Sequence, residues 1–210
     1  MTGVQTCALP ISKGKLKLIY TSTPWRGLHV LLEAFRLLNR NDIELDVYSS
    51  TVIYGKSFAD SLGGQFDALF NELKQTPGIN VKGYAPNSEI RKAVEKAHIF
   101  AYPSTFEETS CISAIEAMCA GCQAVVTNYG ALFETCGEYA DFIGYDNDHK
   151  RLARNYAIAL NNAIDNYWSE KNQQRLVEQQ TFYNKNWTWQ KRLPEWQRLF
   201  NQLRSNQNVF

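Results

Sequence analysis

Short apolar segments alternate with helical patterns along most of the chain, and this alternation constrains the fold more than any other feature. After KLKLIYT (15–21), Gly27 opens a stretch in which Leu28, Leu31, Leu32, Phe35 and Leu38 recur at helical spacing. Five further strand-like segments follow with helical stretches between them: IELDVYSS (43–50), INVKGY (79–84), HIFAYPS (98–104), QAVVT (123–127) and DFIGY (141–145). The pattern predicts an α/β fold, a Rossmann-like doubly wound parallel sheet of about six strands.

The pattern changes at about residue 150, where strands give way to a helical tail. Leu152, Tyr156, Ala159, Ala163 and Tyr167 share one helical face. We expect three C-terminal helices packed on the sheet. Large aromatic side chains are the natural anchors for such helices, and we assign that role to Trp187, Trp189 and Trp196.

The first eleven residues, MTGVQTCALPI, fit neither this pattern nor that of a signal peptide, since they lack a basic start and a cleavage site. They resemble the translated read-through of a sequencing adapter. We therefore expect a non-native leader over 1–11, a domain over 12–210 and the absence of an upstream part of the natural chain. A single domain suits the 210 residues.

The charge balance excludes several classes of partner. Lys and Arg total 22 against 21 for Asp and Glu, so nothing draws the chain as a whole to nucleic acid or to an anionic membrane. No apolar run approaches the roughly twenty residues of a transmembrane helix. Five cysteines without an export signal favour reduced thiols in the cytoplasm, and the Cys119/Cys122 pair has no second pair to complete a zinc site.

Two loops are candidates for a ligand site, because ligands of an open parallel sheet bind beyond the carboxyl ends of its strands. TSTPWRG follows the first strand and offers the hydroxyls of Ser22 and Thr23 with the cation of Arg26. PSTFEETSC follows the fourth strand, and its last residues are predicted to open a helix over 109–120. Hydroxyls, a cation and free helix amides together suit a phosphate group.

Two carboxylates flank the start of that predicted helix, Glu108 at its lip and Glu116 two turns inside. A carboxylate accepts two hydroxyl hydrogens at once, so each acid is suited to a diol of a sugar nucleotide. Solvated or capping glutamates are the alternative that spacing alone leaves open.

Longer stretches of the chain resemble a known family. YPSTFEETSCISAIEAMCAG, followed by AVVTNYGALFE, is similar to the nucleotide-sugar-binding half of retaining glycosyltransferases of family 4, which have the GT-B fold of two facing Rossmann-like domains. TSTPWRGLHVLLEAF resembles the first strand and helix of that half, in the variant with an Arg-Gly-Leu motif. The resemblance runs from Lys15 to about Ile143, and the tail is similar to the closing helices of the family.

The resemblance implies a role for each matching residue. Glu116 would hold the nucleotide ribose, Glu108 would contact the hydroxyls of the donor sugar, and Arg26 would neutralise the departing diphosphate. Backbone amides of the residues after Glu108 would bind the diphosphate and sugar, and we count Thr109, Ser110, Cys111 and Ile112 in that set. Tyr84 lies where the family lines its base pocket, although packing on the sheet explains it equally well.

The same resemblance implies the partners. The donor would be a nucleotide-diphosphate sugar, the acceptor is unknown, and the N-terminal Rossmann-like domain would be missing from this chain. We expect neither a cofactor nor a metal ion, a cytoplasmic location, and any membrane contact only through the missing half. One departure stands out: the family often has two cations in the first loop, whereas Thr21 takes the first place here and Ser22 supplies only a hydroxyl.

Two other functions remain open at this point. Nucleotide-sugar epimerases share the fold, although the additional acid and histidine residues of that class are not recognisable here. A Rossmann-like interaction module without a ligand is the other alternative, and the missing first-loop cation points in that direction. The pair Glu108 and Glu116 favours the glycosyltransferase.

Overall fold

The computed structural model describes residues 14–207, and the predicted leader (1–11) lies outside this range. Within it, six parallel strands form one sheet in the order β3-β2-β1-β4-β5-β6. The strands are β1 (Leu16–Thr21), β2 (Ile43–Tyr48), β3 (Ile79–Val81), β4 (Ile99–Tyr102), β5 (Gln123–Asn128) and β6 (Asp141–Gly144). The doubly wound sheet expected from the sequence is confirmed.

Helices cover both faces of the sheet, which explains why its central strands are apolar on both sides. The α-helices are α1 (Leu28–Leu38), α2 (Lys56–Ser61), α3 (Asp67–Gln75), α4 (Asn87–Val94), α5 (Ile112–Ala120), α6 (Leu132–Cys136), α7 (His149–Asp165), α8 (Glu170–Asn186) and α9 (Trp189–Gln207). Helix α7 packs on α1, and α8 packs on α5. No helix of residues 14–207 is both long and apolar enough to cross a membrane.

The predicted boundaries hold to within a few residues, with two informative differences. The third strand ends at Val81 because Gly83, at a φ of +71°, turns the chain away from the sheet. Helix α5 begins at Ile112 and not at Thr109, because the isolated bridge between Glu108 and Gly130 keeps the preceding backbone extended.

The tail has the three predicted helices, and the first of them starts where the side chain of Asp148 caps the amides of Lys150 and Arg151. The proposed tryptophan anchors are only partly correct. Trp187 is partly buried against the core, whereas Trp189 is 78% exposed and Trp196 50% exposed. Both lie on α9, which contacts the body of the domain mainly through α8, so their rings do not reach the sheet.

Candidate functional site

The order of the strands reverses between β1 and β4, and the two candidate loops leave the sheet at this point. Residues 22–27 join β1 to α1, and residues 103–111 join β4 to α5. In open α/β sheets the crevice at such a switch point is the usual ligand site. The topology therefore places both predicted loops where a ligand is expected.

Gly27 lets these loops approach each other closely. It has a φ of +91°, and a Cβ atom built on it would lie 1.9 Å from the carbonyl oxygen of Pro103. Thr105 donates a hydrogen bond across the same junction to the carbonyl of Trp25, at 3.3 Å. Any other residue at position 27 would push the loops apart.

Arg26 and Glu108 form the centre of the site. Nη1 of Arg26 lies 2.8 Å from each carboxylate oxygen of Glu108, and the guanidinium also lies over the ring of Phe106, 4.3 Å from its centroid. The Glu108 side chain is 2% exposed and that of Arg26 23%. Burial is the largest single influence on the pKa of Arg26 and by itself would lower it, but the charge and hydrogen bonds of Glu108 together with the contribution of Tyr102 outweigh burial, and the pKa is raised.

Glu108 is thus more deeply placed than the sequence suggested. Instead of standing free at the lip of the helix, it is buried, and both of its oxygens are already hydrogen-bonded. The position of its backbone is also fixed, because its carbonyl accepts a hydrogen bond from Ala131 at 2.6 Å. A Cβ on Gly130 would lie 2.4 Å from the same carbonyl oxygen, so this glycine has no substitute.

Sequence reasoning missed two tyrosines beside this pair. The hydroxyl of Tyr102 donates to Oε1 of Glu108 at 2.5 Å and lies 3.4 Å from Oγ of Ser22. The hydroxyl of Tyr20 lies 2.8 Å from the carbonyl oxygen of Thr23 and 3.2 Å from that of Arg26. Each tyrosine lies at the carboxyl end of a strand that leads into a candidate loop, and this position is the signal that could have revealed them.

Two polar atoms in the first loop lack a partner among the residues that the structure describes. Oγ1 of Thr23 and Nε of Arg26 are buried and form no hydrogen bond within residues 14–207. Such atoms are rare in folded proteins, because each unpaired group costs roughly 1–3 kcal/mol. The first loop thus contains hydrogen-bonding groups that the described residues leave unused.

Three of the remaining predicted residues form a second group on the face of the sheet that carries α5. Ser110, Ile112 and Glu116 line a cavity of about 1020 Å³, whose other wall is formed by residues of α4 and α9 and by Trp187. The Glu116 side chain is 35% exposed, and within residues 14–207 its one ion pair is a 3.8 Å contact with Arg91. Glu116 is therefore accessible to a ligand, whereas Glu108 is enclosed.

The last three predicted residues differ in their exposure. Thr109 is exposed between the two groups, and Tyr84 is 64% exposed in the middle of the loop that joins β3 to α4. Cys111 is buried, and burial raises the pKa of its thiol to about 12, so it acts as a small apolar residue. Across residues 14–207, no three His, Cys, Asp or Glu side chains are grouped closely enough to hold a metal ion.

The sequence model of the family described as "Glycosyl transferases group 1" matches residues 10–180. The chain belongs to this family. A search of curated proteins gave no match. The family and the site together give no support to the epimerase or to the interaction module.

Solved structures show the same fold at low sequence identity. Sucrose-phosphate synthase from Thermosynechococcus elongatus has a TM-score of 0.71 and 16% identity, covering 91% of this chain and 46% of that one. Anabaena Alr3699/HepE in complex with UDP and glucose has a TM-score of 0.67 and 16% identity, covering 91% and 49%. The catalytic domain of Starch Synthase IV from Arabidopsis thaliana, bound to ADP and acarbose, has a TM-score of 0.63 and 16% identity, covering 91% and 38%.

This chain therefore spans less than half the length of each of these proteins. Its sheet and flanking helices are those of the C-terminal domain of a GT-B glycosyltransferase.

Proposed function

We propose that this domain binds the nucleotide-diphosphate sugar of a retaining glycosyltransferase, of family 4 and of the Arg-Gly-Leu variant. The observation that carries the proposal is the position of Arg26 at the switch point, where its own Nε and the nearby Oγ1 of Thr23 are buried without a partner among residues 14–207. A guanidinium has five N–H donors, and Glu108 occupies only the Nη1 side in the contacts described above. Nε of Arg26 and Oγ1 of Thr23 remain for a diphosphate.

Cleavage of the donor would build positive charge on the sugar and negative charge on the departing diphosphate. Arg26 is a cation held in a largely desolvated loop, where its charge would stabilise the leaving group more strongly than it could in water. Glu108 would contact hydroxyls of the donor sugar next to the reacting bond. We assign the catalytic roles to these two residues and expect no metal ion to take part.

Glu116 would bind the ribose, since its carboxylate is accessible and lies in the large cavity beside α5. The amides at the start of α5 and the hydroxyl of Ser22 would complete the diphosphate site, and Tyr84 would lie against the base. Among the structural neighbours, Alr3699/HepE is described in complex with UDP and UDP-glucose, and Starch Synthase IV with ADP. Uracil and adenine are therefore the first bases to test here.

The acceptor would be bound mainly by a second Rossmann-like domain. Because this chain covers less than half of its structural neighbours, we expect it to bind the donor and to transfer sugar poorly or not at all. A hexose is the expected transferred group. The location would be the cytoplasm, with any membrane contact made through the other domain.

Calorimetric titration of the purified chain with UDP, GDP and ADP, each with and without an attached hexose, tests the proposal. We expect saturable binding of one nucleotide, weakened at least about tenfold in Glu116→Ala by the loss of charge-assisted hydrogen bonds. Glu33→Ala, which removes an exposed glutamate from α1, is the matched control and should bind as the wild type does. Unchanged affinity in Glu116→Ala would exclude the ribose assignment, and the absence of binding to all six ligands would contradict donor binding by this chain.

A further inference from the structure

The two tyrosines at the switch point have no role in the function proposed so far. We propose that Tyr20 and Tyr102 are positioning residues: Tyr20 fixes the loop that carries Arg26, and Tyr102 fixes the carboxylate of Glu108. This inference rests on the proposed function, because it assigns to each tyrosine a separate part of donor binding.

Tyr102 is held rigidly enough to serve as a fixed point. It is fully buried at the end of β4, and its ring packs on Phe100 and Tyr20 with centroid distances of 5.4 and 5.7 Å. Burial raises the pKa of its hydroxyl, which therefore remains a donor over the working pH range. Its 2.5 Å hydrogen bond then holds Oε1 of Glu108 in one position.

This hydrogen bond matters most when the donor binds. Apart from Tyr102, the Glu108 carboxylate is held by Arg26, and the incoming diphosphate competes for that same guanidinium. The Tyr102 hydroxyl is a neutral hydrogen-bond donor on a different strand, so the diphosphate does not compete for it. Tyr102 would therefore keep Glu108 directed at the sugar while Arg26 turns its free donors to the diphosphate.

Tyr20 acts on the loop after β1, and its hydroxyl contacts the backbone of that loop. Its hydroxyl lies within hydrogen-bonding distance of the carbonyls of Thr23 and Arg26, so it spans the turn between them. Its side chain is fully buried, and its contacts with Thr23 and Arg26 are with their main-chain oxygens. Loss of this hydroxyl would loosen the position of Arg26 without touching Glu108.

The two substitutions should consequently have different signatures. Tyr102→Phe should reduce the factor by which a nucleotide sugar binds more tightly than the free nucleotide, because Glu108 would contact only the sugar part of the ligand. Tyr20→Phe should weaken both ligands equally, because both carry the diphosphate. One hydrogen bond of typical strength corresponds to about a fivefold change in affinity in each case. A general loosening of the fold would not produce this difference between the two variants, because it would affect the binding of both ligands in both variants.

The experiment is calorimetric titration of the 210-residue chain with UDP and UDP-glucose, GDP and GDP-mannose, and ADP and ADP-glucose. The variants are Tyr102→Phe, Tyr20→Phe and the control Tyr183→Phe, which removes another buried hydroxyl that donates to a carbonyl, that of Thr135 at 2.7 Å. We expect the control to retain both affinities. The positioning role of Tyr102 is wrong if Tyr102→Phe keeps the wild-type ratio of the affinity for the sugar nucleotide to the affinity for the nucleotide. The role of Tyr20 is wrong if Tyr20→Phe keeps the wild-type affinity for both ligands.

Failure of the proposed function would look different, since the wild-type chain would then bind none of the six ligands. In that event a double-mutant cycle in urea unfolding, with Tyr102→Phe and Glu108→Gln, still tests the contact on which the inference depends. Non-additive effects on the free energy of unfolding would support it. Additive effects would overturn it.

Discussion

The two glutamates of the 108–116 stretch occupy opposite physical environments. Glu108 is buried, is hydrogen-bonded by side chains from β4 and from the loop after β1, and is held at its carbonyl by Ala131. Glu116 is one-third exposed, and it forms an ion pair with Arg91 at the long distance of 3.8 Å. Eight positions of sequence thus separate a fixed group from an accessible one.

The difference favours separate tasks for the two glutamates in binding one donor. A group that acts at the reacting bond benefits from being fixed and desolvated in advance, since reorganisation then costs nothing during the reaction. A group that captures a ligand needs access to solvent. On the proposed function, Glu108 belongs to the first kind and Glu116 to the second, and the comparison can be tested by stability as well as by binding.

The largest effect on stability is expected at Gly27, where the loop that carries Arg26 touches the loop that carries Glu108. Gly27→Ala should lower the free energy of unfolding by roughly 4 kcal/mol, because the new Cβ strains a left-handed backbone and collides with the carbonyl of Pro103. Gly121→Ala is the matched control, since Gly121 has nearly the same left-handed backbone (φ +93°) but a Cβ there would meet the movable end of the Gln180 side chain, at 3.2 Å, and it should cost only about 1 kcal/mol. Urea denaturation measures both, and equal losses would show that the loops can separate freely.

A direct test replaces each glutamate in turn. Glu108→Ala should destabilise the domain by about 3 kcal/mol, because it leaves the partly buried guanidinium of Arg26 without its counter-charge. Glu116→Ala should change stability by less than about 0.5 kcal/mol, as expected for an accessible side chain. Urea denaturation again provides the measurement. Similar values for the two variants would remove the physical distinction between the glutamates.

The smallest of the three effects concerns the wall of the cavity beside Glu116. Trp187 packs against the core with its ring stacked on Tyr183, so Trp187→Ala should cost about 2 kcal/mol. Trp189, at 78% exposure, should tolerate the same substitution within about 0.5 kcal/mol. Thermal unfolding of the two variants tests this. A large loss in Trp189→Ala would mean that α9 anchors this wall after all.

Much of the fold could be predicted because its signals are local. The strand segments and helix patterns depend on residues within about ten positions of one another, and the structure reproduces them with only small shifts in their ends. The start of α5 was predicted too early because its true limit is set by the bridge from Glu108 to Gly130, twenty-two positions away. The exposure of Trp189 and Trp196 was likewise invisible, since it depends on where α9 lies.

The sequence by itself determined the class of fold, the two loops that meet at the switch point and the chemical types available there: a cation, hydroxyls and two acids. Only the tertiary structure decided which of these groups meet. It joined Arg26 to Glu108, brought in Tyr20 and Tyr102, and left Glu116 in a separate cavity. The physical reason is that periodicity reports how each segment buries its own apolar face, whereas a hydrogen bond across 82 positions depends on strand order and on the glycines that let two loops touch.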